Sequence, residues 1–261
     1  MPYRPRRTAV ATAFAVTAPV LAGLGFAAAA LATAPAVPAH LPTEPSAAET
    51  TDAAPVPTQL IAAGPGSFSP EQRAGSDRTV PRDLVEDRLT EWVALPGGPD
   101  DAFCTGTLST ERPGQFSTCS VTDASGQKQT YFGYVAESLA YGSDFQLFYA
   151  EGAPLSDEAT AVLTDEAAAV IVYPVYDETS AVKPRALTSQ QAVAAGNRIL
   201  ELAGQRDLRI VSVMDRVDLT SPEPVEAVAE DRATGAVRTV HLLPVVMEGE
   251  SPVLVVSVEA V

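Results

Sequence analysis

Few residues in this chain are able to do chemistry, and two of them stand apart. Cys104 and Cys119 are the only cysteines, fifteen positions from one another in FCTGTLSTERPGQFSTCSVTD. Dithiol redox catalysis uses Cys-x-x-Cys, and a structural zinc site wants more ligands at closer spacing. Neither pattern is present. The pair is therefore a structural disulfide or two free thiols, and the compartment decides between them.

The other candidates are weaker. Of two histidines, His40 lies in a proline-rich stretch, which leaves His241 as the one candidate base or metal ligand. It sits in the apolar run VRTVHLLPVV, where a histidine packed in or at the edge of a strand is expected. Without a Gly-x-Ser-x-Gly elbow no serine nucleophile can be placed. Acidic pairs recur at Glu86-Asp87, Asp100-Asp101, Asp157-Glu158, Asp165-Glu166 and Glu230-Asp231. Glycoside hydrolysis needs two carboxylates held across a cleft, one with its pKa raised by burial. These pairs stand in polar, turn-like or helix-surface contexts and read as solvated faces. An Asp-x-Asp-x-Asp-Gly calcium loop and a phosphate-cradling glycine loop are both missing. GLGFAA at Gly23 to Ala28 lacks the third glycine of a dinucleotide fingerprint. No catalytic residue, cofactor or metal is expected.

The N-terminus decides the compartment. Arg4, Arg6 and Arg7 precede a stretch from Thr8 to Ala34 without a charged residue, and small-x-small sites follow at Ala34-Pro35-Ala36 and Val37-Pro38-Ala39. That order marks an export signal. The apolar run is long for a cleaved signal, and ~20 apolar residues can cross a bilayer, so residues 1–39 are a signal peptide or a single-span anchor with the arginines inside. Outside the cytoplasm the cysteines pair, and closing a loop of fifteen residues stabilises by about 3 kcal/mol in the chain-entropy model. The protein is expected to be extracellular or in the cell envelope, and membrane-anchored if the segment is retained.

A formal charge of −16 repels phosphate backbones and anionic membrane surfaces, so nucleic acid is excluded as a partner. Residues 40–78 are rich in proline, alanine, threonine, serine and glycine without a sustained apolar period, and read as a disordered linker.

What must position the cysteines comes next. Residues 79–153 read as a helix over VPRDLVEDRLTEWV followed by four antiparallel strands, near Ala102–Ser109, Gln115–Asp123, Lys128–Leu139 and Asp144–Ala150. Residues 154–186 connect, with Ala168–Tyr173 strand-like and Asp157–Ala169 helical. Residues 187–261 repeat the plan. A helix is opened by the capping box Thr188 and Gln191, stopped by Gly204, and faced by Ala192, Ala195, Ile199, Leu202 and Ala203. Four β-rich runs follow, Leu208–Leu219, Val225–Asp231, Ala236–Val246 and Pro252–Val258. At an offset of 109 residues Cys104 falls on Val213, Pro113 on Pro222, Cys119 on Val228 and Gly126 on Gly235, the trace an internal duplication leaves. The fold expected is α+β, as two small helix-plus-antiparallel-sheet domains.

Cys104, TGTLSTERPGQF, Cys119-Ser-Val-Thr-Asp and Gly126 together resemble the small two-cysteine domain of unknown function found in actinobacterial envelope lipoproteins and anchored proteins. The resemblance covers about residues 80–151 and implies an exported, disulfide-bearing envelope module. No activity comes with it.

YFGY and FQLFY place aromatic residues on both faces of adjacent strands, and Phe132, Tyr134 and Tyr141 form the candidate partner surface, or the seat of the second unit. The function expected is a non-catalytic exported protein that binds an envelope protein, a glycan or another wall component. The alternatives are a carboxylate-dependent wall hydrolase and a secreted protease inhibitor.

Overall fold

The computed structural model describes residues 55–75, 78–92, 99–123, 125–138, 143–164, 168–174, 184–247 and 251–259. Residues 1–39, read above as an export signal or anchor, and Tyr141 lie outside them.

The first half runs β1 (Leu60–Gly66), α1 (Pro70–Ala74), β2 (Thr79–Val80), α2 (Arg82–Trp92), β3 (Pro99–Thr105), β4 (Leu108–Ser109), β5 (Ser117–Asp123), β6 (Lys128–Glu137) and β7 (Phe145–Glu151). After α3 (Asp157–Thr164) the second half runs β8 (Ala168–Pro174), β9 (Ala186–Leu187), α4 (Ser189–Leu202), β10 (Leu208–Val213), β11 (Val217–Asp218), β12 (Val225–Asp231), β13 (Val237–Met247) and β14 (Ser251–Glu259). Strand neighbours in the first half are β3-β5-β6-β7-β1 and in the second β10-β12-β13-β14-β8, all antiparallel. The short pairs β2·β4 and β9·β11 repeat as well. The halves are joined where β1 also meets β13, parallel, at Ile61 opposite Val246. The result is one mixed sheet of ten strands.

This corrects the expectation of two separate α+β domains: the molecule is mostly β, and its halves share a sheet. The reason is visible strand by strand. Ile61 and Ala63 of β1 face a core with Val85 and Leu89 of α2, while Leu60 and Ala62 face a different one. That second core also takes Tyr134, Phe148 and Ala150 from the first half, Leu243, Val245, Val253 and Val255 from the second, and Leu155, Ala159 and Leu163 from the connection. On its other face the second half packs Leu242, Leu254 and Val256 against Ala192 and Ile199 of α4. Each half-sheet is thus covered by its own helix on one side and by the other half on the opposite side.

The linker expectation is corrected over residues 55–75. Leu60, Ala62 and Ala63 are fully buried, and β1 pairs with β7 along its whole length. Helix α1 is opened by a capping box: the Ser69 hydroxyl accepts from the Gln72 N–H at 3.2 Å, and the Gln72 side chain accepts from the Ser69 N–H at 2.6 Å. The box at Thr188 and Gln191 forms as the sequence predicts, and Gly204 follows α4 with φ +80°. One detail of α4 differs: Leu202 is exposed, and Leu200 is buried in the core.

The disulfide forms between Cys104 and Cys119, directly opposite on β3 and β5, both fully buried. Its counterpart in the second half is the buried pair Val213 and Ala227. The constant offset of 109 would have put Val228 there. The connection from β11 to β12 is one residue shorter than that from β4 to β5, and the next turn one longer, so the register slips at β12 and recovers at β13. Burial then coincides position for position: Tyr131 and Gly133–Ala136 on β6, Val240 and Leu242–Val245 on β13.

Two of the edge strands, β3 and β10, are each shielded by a helix side chain. The Glu86 carboxylate accepts from the Cys104 N–H at 2.8 Å. Across the molecule the Asn197 amide bonds both the N–H and the C=O of Ile210, each at 2.8 Å. Such groups are otherwise open to pairing with another chain.

Replacing Cys104 by Val and Cys119 by Ala, the residues of the second half, should preserve the fold and lower stability by about 3 kcal/mol, the chain-entropy value for such a loop. Urea unfolding followed by circular dichroism checks this, and an unchanged midpoint would show that the staple adds nothing.

Candidate binding site

Tyr134 is not on a surface. Its ring lies in the core between the halves with no exposure, and its hydroxyl accepts from the Leu155 N–H at 2.9 Å. Burial raises its pKa against the lowering effect of that N–H and of Thr160. The Tyr131 and Tyr149 hydroxyls are pushed up as well, first by burial. Phe132 is half-buried and meets Phe116 edge to face at 5.5 Å. The expected aromatic surface is therefore corrected: Tyr134 belongs to the core, Phe132 is partly covered, and the ring packed on both of them, Phe116, is the exposed one of the three, at 42%. The physical reason is that the second face of β6 and β7 is closed by the other half.

Four described carboxylates have a displaced pKa. The residues whose pKa is displaced, Glu71, Asp144, Asp218 and Asp231, all move downward. For Glu71 the main cause is a backbone N–H bond, for Asp218 the Thr220 N–H, and for Asp231 the Thr234 N–H. Burial acts most strongly on Asp144 and opposes the shift, but the Phe68 N–H and Arg73 outweigh it together. A general acid needs displacement the other way. Among the described residues the buried polar side chains are Ser, Thr and Gln, with no carboxylate. Glu86 and Asp87 ride on α2, Asp157 and Glu158 on the first turn of α3, Glu230 and Asp231 at the end of β12. Asp165 and Glu166 lie outside the described residues. His241 is half-buried on β13, opposite Glu226 and Ser257. Among the described residues no three His, Cys, Asp or Glu side chains are grouped to hold a metal.

What the halves build between them is a groove of about 470 Å³. Along one edge of β13 the partner strand β12 ends at Leu242, and β1 takes over only at Val246. The stretch between pairs with no strand on that side among the described residues, and it contains Pro244, which has no N–H to offer one. Pro222, Pro184 and Pro252 line the same groove with Leu60 and Leu219, and Arg185 and Thr58 stand among the polar lining. Thr58 is fixed by a hydrogen bond of 2.8 Å to the Glu151 carboxylate. The lining mixes apolar and polar residues, and the volume is within the range of ligand clefts. Proline inside the apolar run HLLPVV was the readable signal, because proline in a strand marks an edge or a break.

Comparison with protein-family models, with curated proteins and with solved structures finds no match to this chain.

Tyr134→Phe should destabilise by about 1–3 kcal/mol, because the buried Leu155 N–H loses its acceptor. Phe116→Ala, on the exposed ring, should cost less. Thermal or urea unfolding of the two variants checks the order, and the reverse order would return Tyr134 to a surface.

Proposed function

We propose that this is a non-catalytic, exported cell-envelope protein that binds another protein or a wall component, with the groove between β1 and β13 as its binding site. The observation that carries the reading is the buried Cys104–Cys119 pair, bonded at the edge of the sheet in a chain whose first residues have the order of an export signal. A disulfide of this kind persists in an oxidising compartment. The likeness of residues 80–151 to the two-cysteine envelope domain points the same way.

The groove supports binding rather than turnover. Its described lining has apolar residues, hydroxyls, the Gln59 amide and one arginine, and no carboxylate or histidine to move a proton. Extended chains suit such a cleft, since its proline and aliphatic walls give contact without demanding a fixed hydrogen-bond pattern. Among the described residues no helix is long and apolar enough to cross a membrane; anchoring, if it occurs, rests on the N-terminal segment. A carboxylate-dependent hydrolase would need the raised, converging pair that the described residues do not provide.

The test is retention of the full-length protein on isolated cell-wall material and on envelope extract. The wild type is expected to be retained, and Ser221→Trp, which fills the groove, to weaken retention by about tenfold. Equal retention of the two would remove the groove as the site. Recovery of the native protein from the cytosol with free thiols would remove the envelope role.

A further inference from the structure

The chain is strongly acidic, with 33 Asp and Glu against 17 Lys and Arg, yet three arginines converge on one cleft far along the second half. The cleft, of about 430 Å³, lies between the C-terminal part of α4, the turn after it and the β12–β13 turn, and Arg198, Arg206 and Arg232 line it with Gln205.

Several of the other arginines have a carboxylate close by. In the first half Arg73 pairs with Asp144, Arg78 with Glu137, Arg82 with Glu86 and Arg88 with Glu91. In the second, Arg238 pairs with Asp231, and Arg185 and Arg216 act on Asp218. Among the described residues Arg198, Arg206 and Arg232 have no ion pair, although Glu201 lines the same cleft. In an excess of carboxylates, three arginines lining one cleft beside a single glutamate leave a local positive field.

Their backbone is held in place. The Arg232 N–H donates to the Asp207 carbonyl at 2.7 Å, tying the two turns together. The Asp231 carboxylate accepts from the Ala233 and Thr234 N–H groups, each at 2.9 Å, and Gly235 closes that turn with φ +74°. On the other wall the Gln205 N–H donates to the Leu200 carbonyl at 2.8 Å, which fixes the chain leaving α4. The arginine stems therefore start from rigid points.

The repeated architecture supplies a control within the molecule. In the first half neither residues 93–98, which follow α2 in the sequence, nor Ala124, which follows β5, is an arginine. The fold forms in both halves, so it does not require the arginines. A cluster that neither pairs with the protein's own carboxylates nor serves the scaffold fits an external anion.

We propose that this cleft binds a phosphate-bearing ligand. Arginines carried by a helix, a turn and a hairpin can reach one ligand from more than one side, which suits a tetrahedral oxyanion or a short phosphate chain better than a single planar carboxylate. The site is separate from the groove and holds whether or not the groove binds wall material.

The experiment is isothermal titration of the full-length protein with tripolyphosphate at low ionic strength, with citrate in parallel. Saturable binding of tripolyphosphate is expected, stronger than that of citrate, and weakened by about tenfold or more in Arg198→Gln and in Arg232→Gln. Arg209→Gln removes an unpaired, exposed arginine that does not line the cleft and should leave binding unchanged. Circular dichroism confirms that each variant is folded. Absence of saturable binding, equal affinity for citrate, or an equal loss in the Arg209 variant would each overturn the proposal.

Discussion

Burial of strands on two faces governs this molecule. Every residue from Phe145 to Ala150 on β7 is buried, as is every residue from Val253 to Ser257 on β14. A strand of that kind needs an apolar layer above and below, and a helix supplies only one. Helices α2 and α4 cover one face of their respective half-sheets, so the remaining faces must cover each other. Helix α3 seals the arrangement: the Ser257 hydroxyl donates to the Val162 carbonyl at 2.7 Å, and the Thr164 hydroxyl accepts from the Gly114 N–H at 2.7 Å. One bond reaches the second half and the other the first. The groove lies where this closure lapses, at the unpaired stretch of β13.

The two halves hold the same pattern of pairing with different local means. One uses a disulfide where the other packs Val213 against Ala227. One protects its edge strand through Glu86, the other through Asn197. Their interiors answer to the same geometry, whereas their outer surfaces have separated in charge. Function on such a scaffold belongs to the surfaces, because the core positions are already committed to packing.

Much of the local structure was legible. The capping box at Thr188, the turn glycines Gly126 and Gly235 and the apolar face of α4 rest on short-range physics that a sequence displays directly. The pairing of the cysteines was read from the order of charge and apolar residues in the first forty positions. Strand β1 was hidden because LIAAGPG has the composition of a linker, and its strand character comes from the neighbours that bury it rather than from propensity. The capping box at Ser69 was present in the letters SPEQ but stood in a proline-rich context. Tyr134 was misplaced for a related reason. Alternation shows that a strand has two faces but not whether the second meets water or another sheet. The arginine cleft was the least visible of all, since its members come from three separate stretches.

Hydrogen exchange read by mass spectrometry on the native protein tests the shared core most directly. If the halves stabilise one another, amides of β6 and β7 and those of β13 and β14 open together, at the free energy of global unfolding. Exchange of one set at much lower free energy, while the other stays protected, would show that the halves are independent and that the core between them does not hold the molecule together.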